Sequence, residues 1–86
     1  MVVCKLMWTD RVVFHCPGCR CTHQIKLPQW TFNGDYERPT FSPSILYNPD
    51  VEKHRCHFFV RNGRIEYLSD CHHSLAGQTV DMVPFD

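Results

Sequence analysis

Cysteine and histidine side chains at short spacings are the residues of this sequence best suited to chemistry. Two cysteines three residues apart, in the motif Cys-Pro-Gly-Cys at positions 16–19, can place both sulfurs about 2.3 Å from one metal ion. Proline after the first cysteine fixes φ, and glycine permits the chain to reverse. A second group of these side chains lies far downstream, and Zn2+ is the predicted ion because structural zinc sites combine four such ligands. The predicted ligands are Cys16, Cys19, Cys56 and either Cys71 or His73.

A β-hairpin is predicted to position the downstream ligands. Asn62-Gly63 is a strong hairpin signal because both residues tolerate positive φ, and the β-prone runs 57–61 and 64–68 flank it. Successive side chains of a strand point to opposite faces, so Cys56 and Cys71 are expected on one face of this hairpin. That face would carry half of a metal site at the open end of the hairpin.

The fourth ligand depends on where the second strand of this hairpin ends. Cys71 is favoured if the strand continues that far, whereas His73 can reach the ion if the strand breaks at Asp70. His57 is expected to point away from Cys56, so it is not predicted to bind the same ion.

The first third of the chain predicts a second hairpin, with the Cys-Pro-Gly-Cys turn at its tip. Residues 2–7 and 11–16 have the composition of strands, and residues 24–27 alternate between polar and apolar. His23, just before this alternation, is predicted to be a solvated strand residue. Together these patterns predict a small, mostly-β, zinc-ribbon-like fold with little helix. One metal ion would clamp two or three β-hairpins within a single zinc-binding domain at residues 1–86.

Charge and cysteine content exclude several classes of protein. Nine basic and nine acidic residues leave a formal net charge of zero, which argues against nucleic acid as a partner. No apolar window approaches the length of a membrane span and no signal peptide is visible, so a cytoplasmic location is expected. In that reducing compartment, six cysteines favour metal ligation, with a disulfide framework or buried unmetallated thiols as the alternatives.

Five longer motifs resemble a known family. They are Phe-x-Cys-Pro-Gly-Cys at 14–19, Trp-x-Phe-Asn-Gly-Asp at 30–35, Arg-Pro-Thr-Phe-x-Pro-Ser at 38–44, Cys-His at 56–57, and Gly-x-Ile-x-Tyr-Leu-x-Asp-Cys-x-His-x-Leu-Ala-Gly-Gln-Thr-Val at 63–80. Together they resemble an uncharacterised family of short proteins of tailed phages and prophages, although the chain departs from its usual pattern at Arg20, Phe58 and His72. The resemblance implies a phage origin, the cytoplasm of a bacterial host and a Cys/His metal site, but no activity. The family positions that recur match Cys16, Cys19, Cys56, His57, Asp70 and His73.

The predicted function is that of a zinc-stabilised protein-interaction module. Zinc would hold the β scaffold, while the aromatic, proline-bearing segment 30–47 presents a surface to another protein, expected to be a host protein. The residues predicted for this surface are Trp30, Asn33, Asp35, Arg38 and Phe41.

Two other functions are alternatives to the interaction module. A metal-dependent hydrolase would use His57, Asp70 and His73 around an open coordination position, beside a polar pocket that includes Ser42. Nucleic-acid binding through the basic residues of segment 53–64 is less favoured, because the chain has no basic excess.

Overall fold

The chain forms two antiparallel β-sheets in the computed structural model, which describes residues 1–85. The first sheet contains β1 (Lys5–Met7), β2 (Arg11–Cys16) and β3 (Cys21–Lys26) in that order. The second has five strands, also in chain order: β4 (Thr31–Phe32), β5 (Phe41–Tyr47), β6 (Cys56–Arg61), β7 (Arg64–Tyr67) and β8 (Thr79–Asp81). The predicted mostly-β fold with little helix is therefore confirmed.

Helix is limited to one short turn in the described part of the chain. A 3-10 turn at Glu52–His54 lies between β5 and β6. No helix among residues 1–85 is long and apolar enough to cross a membrane. The segment 74–77 makes hydrogen-bonded turns, in which the Gln78 amide donates to the Leu75 carbonyl at 3.0 Å.

Aromatic and branched apolar side chains from both sheets meet in one core. Phe14 of β2 lies edge to face with Phe58 of β6, with 5.8 Å between the ring centroids. On β6, residues 56, 58 and 60 are buried while 57 and 59 are only half-buried, as expected for a strand with one face toward a core. The sheets are thus held together by the inner faces of β2, β3, β5, β6 and β7.

The hairpin of β6 and β7 has the geometry that its sequence predicts. Asn62 and Gly63 have φ values of 51° and 77°, as the tight turn requires. Val60 pairs with Ile65, and both side chains are fully buried. Regular pairing ends at Tyr67, so β7 does not extend to Asp70 or beyond. The chain after β7 is therefore free to turn back toward the first sheet.

Replacing the central aromatic side chain of β6 tests the core. We expect Phe58→Ala to lower the free energy of unfolding by about 3–5 kcal/mol, because it leaves a cavity between the two sheets. Phe59→Ala in the same strand is the matched control, since Phe59 lies on the outer face and is only half-buried. Denaturant unfolding of both variants measures the difference. Equal losses would contradict the assignment of faces.

Candidate functional site

Three sulfurs from the two sheets converge at one end of the core. Cys16 ends β2, Cys19 lies in the turn that follows, and Cys56 begins β6. Their Sγ atoms and one ring nitrogen of His23 all lie within 4.8 Å of one another. The turn is also held from within, because the Cys19 amide donates a hydrogen bond to Cys16 Sγ at 3.4 Å. This group could hold a metal ion with four ligands.

A second group of donors shares one cysteine with the first. Cys56, Cys71 and His73 offer ligand atoms within 4.8 Å of one another, and Cys56 Sγ lies 3.5 Å from His73 Nε2. Cys71 also contacts the backbone of His57: its Sγ accepts from the amide at 3.3 Å and donates to the carbonyl at 3.1 Å. The sulfur of Cys71 is therefore hydrogen-bonded to the backbone of β6, whereas Nε2 of His73 lies against the sulfur of Cys56.

Glycine at position 18 makes room for the ring of His73. A Cβ atom at Gly18 would lie 2.3 Å from His73 Cε1, which is far inside van der Waals contact. The ring also packs edge to face on Tyr67 at 4.5 Å between centroids. The Cys-Pro-Gly-Cys turn and the segment after β7 are consequently in direct contact.

His23 is buried, contrary to the prediction of a solvated residue. It is 7% exposed and stacks on Tyr47 with 4.3 Å between ring centroids. Its Nε2 atom is buried without a hydrogen-bond partner among the described residues. Such an orphaned nitrogen is costly unless something coordinates it, which fits a bound metal ion. The signal for burial was present in the sequence: on a continuous strand His23 shares a face with Ile25, and both are buried.

Hydrogen bonding among the thiols separates their acidities. A hydrogen bond from Cys56 lowers the pKa of Cys16 to about 3, and the same contact together with burial raises the pKa of Cys56. Burial raises the pKa of Cys19 to about 12. Without a cation, Cys16 is therefore the thiol of this group that ionises most readily. A metal ion would supply the positive charge that lets the other sulfurs ionise as well.

All five predicted ligands lie in these two groups. Cys16, Cys19 and Cys56 belong to the first group, while Cys71 and His73 join Cys56 in the second. Their coordination of a metal ion stays a prediction, and the structure adds His23 as a further candidate.

A second cluster lies on the opposite, outer face of the five-stranded sheet. His57 follows Cys56 in β6 and therefore points away from the sulfurs. Its Nδ1 lies 3.2 Å from Oδ2 of Asp70, which follows the end of β7. This contact leaves the other ring nitrogen, Nε2, directed away from Asp70. A carboxylate paired in this way orients an imidazole for proton transfer.

Ser44 lies on the neighbouring strand, on the other side of His57. It lies in the irregular part of β5 between Phe41 and Ile45 and directly precedes Ile45, whose buried side chain points to the core, so we assign the side chain of Ser44 to the outer face. Leu46 pairs with His57, so Ser44, two residues before Leu46, lies on the strand next to that of His57. Asp70, in the turn after β7, contacts His57 from the other side. His57 therefore lies between the strand that carries Ser44 and the turn that carries Asp70.

The residues predicted to contact a protein partner differ in how far they are exposed in the fold. Phe41 is only 2% exposed and is part of the core, so it is not available to a partner. Trp30 is half-buried, and its Nε1 donates to the Ser44 carbonyl at 3.2 Å. Asn33, Asp35 and Arg38 are exposed and build their own loop.

Hydrogen bonds hold that loop. Asp35 Oδ1 accepts from the amides of Glu37 and Arg38 at 2.9 and 3.0 Å, and these bonds lower the pKa of Asp35. Asn33 Oδ1 accepts from the amides of Asp35 and Thr40, both at 3.1 Å. These side chains therefore support the loop that leads into β5.

Comparison with protein families gives a match over most of the chain. A family model described as bacterial ubiquitination-like system serine protease (BubE) matches residues 3–68. The matched segment includes Ser44 and His57 and ends before Asp70. Among curated proteins and among solved structures, no match was found.

The family match corrects the predicted function. A serine protease family is not a family of zinc-stabilised interaction modules, so the prediction of a module acting on a host factor was wrong. The alternatives, a metal-dependent hydrolase and nucleic-acid binding, are replaced as well. The hydrolase prediction grouped His57 and Asp70 with His73. The structure separates them, because His57 points to the outer face and is paired with Asp70 there.

Sequence reasoning also missed Ser44. It placed Ser42 in a polar pocket and interpreted His57 and Asp70 only in relation to a metal. The signal that could have found Ser44 is the alternation of its strand, which puts Ser44 and Leu46 on the face opposite Ile45.

Substitution of the cysteine shared by both donor groups tests metal binding. We expect Cys56→Ser to remove most of the bound metal and to lower the unfolding midpoint by about 10 °C or more, since each lost kcal/mol shifts a domain of this size by roughly 4–8 °C. Elemental analysis and thermal unfolding measure both effects. Cys21→Ser is the matched control, because Cys21 is exposed and belongs to neither group. Unchanged metal content in Cys56→Ser would contradict the site.

Proposed function

The chain belongs to the family of bacterial ubiquitination-like system serine proteases (BubE), and on this premise we propose that it cleaves peptide bonds with Ser44 as the nucleophile. The observation that carries the proposal is the contact of 3.2 Å between His57 Nδ1 and Asp70 Oδ2, beside β5, the strand that carries Ser44. Serine proteases require such a base and orienting group, and recognition of the three rests on geometry rather than on their order in the chain.

Each residue has a defined part in the proposed reaction. Ser44 Oγ attacks the carbonyl carbon of the substrate while Nε2 of His57 takes the hydroxyl proton. The carbon–nitrogen bond then breaks, His57 returns the proton to the leaving amine, and an ester to Ser44 remains. Water hydrolyses this ester with His57 again as the base. Asp70 is a positioning residue: its carboxylate accepts from Nδ1–H and stabilises the imidazolium form.

The other three serines are less suitable as nucleophiles. Ser42 pairs with Thr31 of β4, and along β5 it is two residues farther than Ser44 from Leu46, the partner of His57. Ser69 immediately precedes Asp70 in the turn after β7, so no strand pairing places it beside His57. Ser74 directly follows His73, which belongs to the second donor group. Ser44 is therefore the serine that the geometry favours.

We propose that Zn2+ binds the sulfur group as a structural ion. Cys16, Cys19, His23 and Cys56 form a set of four donors, and a closed shell of this kind holds a fold together rather than activating water. Cys56 directly precedes His57, so an ion bound there would fix the start of β6 and with it the backbone of the proposed base. Zinc would contribute to the site by positioning the backbone of His57, and His57 would carry out the proton transfers.

A polypeptide partner stays part of the proposal, now as the substrate. Ubiquitination-like systems join proteins through amide bonds, and an acyl-transfer site of this kind is suited to hydrolysing such bonds. The phage origin and the bacterial cytoplasm stay predictions from the sequence, as does the expectation that nucleic acid is not a partner.

A fluorophosphonate probe tests the nucleophile without knowledge of the substrate. It forms a covalent bond with a serine only when a neighbouring base activates the hydroxyl group. We expect the purified protein to be labelled at Ser44 and the Ser44→Ala variant to remain unlabelled. Peptide mapping by mass spectrometry locates the label. Ser42→Ala is the matched control in the same strand and should be labelled like the wild type; a label on Ser42, Ser69 or Ser74 would contradict the assignment.

Substitution of the carboxylate tests the positioning role of Asp70. We expect Asp70→Asn to slow fluorophosphonate labelling about 100- to 10,000-fold, because an amide does not hold the imidazole in the required tautomer. The unfolding midpoint should hardly change, since an exposed pair contributes only about 0–1 kcal/mol. Asp70→Glu should recover part of the labelling rate. A purely structural role would instead predict parallel losses of stability and labelling in both variants.

A further inference from the structure

One edge of β5 has no neighbouring strand beside the proposed nucleophile. In the five-stranded sheet, β4 pairs with β5 only at Phe41 and Ser42. The following residues of β5 pair with β6 alone among the described strands. The edge of the sheet therefore opens immediately after the point where β4 ends.

The phase of the hydrogen bonds shows which backbone groups face this edge. The Leu68 amide donates to the His57 carbonyl at 2.9 Å, so the backbone groups of His57 point toward β7. Leu46 is paired with His57 across β5 and β6, and this pair is consequently one without mutual hydrogen bonds. The N–H and C=O groups of Leu46 thus point away from β6, into the open edge.

The two ends of the open edge differ. At one end Trp30 Nε1 donates to the Ser44 carbonyl at 3.2 Å, and the indole blocks the edge there. At the other end, a cleft of about 450 Å³ lies between the end of β5 and the outer edge of β3. It is lined from β3 by Thr22 and Gln24 and from the end of β5 by Tyr47 and Asn48. A chain that enters from the cleft and follows β5 must leave the edge at Ser44.

We propose that an extended segment of the polypeptide substrate docks as an added strand on this edge of β5, bonding through its backbone to Leu46 and crossing onto the outer face at Ser44. The inference rests on the proposed function and names the form in which the substrate is bound. Addition of a strand to an open edge supplies backbone hydrogen bonds that do not depend on the substrate's sequence. The blocked edge directs the substrate carbonyl to the face that carries Ser44 and His57.

The side chain of Leu46 gives this mode of binding a sequence preference. Leu46 is 42% exposed. It pairs with His57 without mutual hydrogen bonds, and the Cα atoms of such a pair are about 4.5 Å apart. A substrate side chain next to the cleaved bond would contact it. The substrate is therefore an unfolded tail or linker with an apolar residue near the cleavage position, rather than a folded surface.

The test removes the backbone donor and keeps the nucleophile. Leu46→Pro deletes the N–H group that faces the edge, and proline is tolerated at such a position because that group has no partner within the sheet. Leu46→Ala is the matched control, which keeps the N–H group and shortens the side chain. One portion of each protein is labelled with the fluorophosphonate probe, and a separate, unlabelled portion is incubated with a peptide library prepared from a bacterial proteome. Mass spectrometry reports the cleaved peptides and their rates.

The expected result separates docking from chemistry. Leu46→Pro should label like the wild type but cleave library peptides at least about tenfold more slowly, whereas Leu46→Ala should cleave them with a changed side-chain preference. Equal cleavage by Leu46→Pro and the wild type would overturn the docking mode. A wild-type protein that labels at Ser44 but cleaves no extended peptide would overturn it too. Absence of labelling in the wild type would instead overturn the proposed function itself.

A second measurement tests the docking mode if Leu46→Pro misfolds, which would be seen as loss of fluorophosphonate labelling in that variant. A peptide cleaved by the wild type is resynthesised with single N-methyl groups at successive amides. We expect one N-methyl position, that of the amide bonded to the Leu46 carbonyl, to slow cleavage by the wild type about tenfold. Uniform rates across all positions would overturn strand addition.

Discussion

The contact among the sulfurs of Cys16, Cys19 and Cys56 is the interaction on which the rest of this structure depends. It joins the end of β2 and the turn after it to the start of β6, which belongs to the other sheet. Burial raises the pKa of Cys19, and contact with Cys16 together with burial raises that of Cys56, so these two thiols ionise less readily than Cys16. A cation at this point would turn a crowded cluster into a cross-link between the two sheets.

Strand β6 connects this cross-link to the proposed chemistry through two adjacent residues. Cys56 points inward to the sulfurs, and His57 points outward to Asp70. The same strand would therefore stabilise the fold through its inner face and take part in the proposed proton transfer through its outer face. Because Cys56 and His57 are consecutive residues, loss of the ion would disturb the position of His57, although the ion itself would not contact a substrate.

Much of the fold could be predicted from local patterns. Asn62-Gly63 specifies its turn because few residues adopt positive φ at two successive positions, and the flanking alternation sets which side chains are buried. The motif at 16–19 likewise predicts its turn and two of the donors. Prediction was poorer where one residue type has several uses. His23 was interpreted as solvated because a histidine in a polar segment gives no sign of the aromatic rings that cover it, here Tyr47 and Phe58.

The sequence by itself determined the strands, their turns and the identity of the side chains able to hold a metal ion, because these depend on periodicity and on residues close together in the chain. Only the tertiary structure decided that β7 ends at Tyr67, that His57 pairs with Asp70, and that β5, which carries Ser44, lies next to β6. These relations depend on the order and register of strands that are distant in sequence. An alternation pattern places a side chain on a face but does not say which other strand lies beside it.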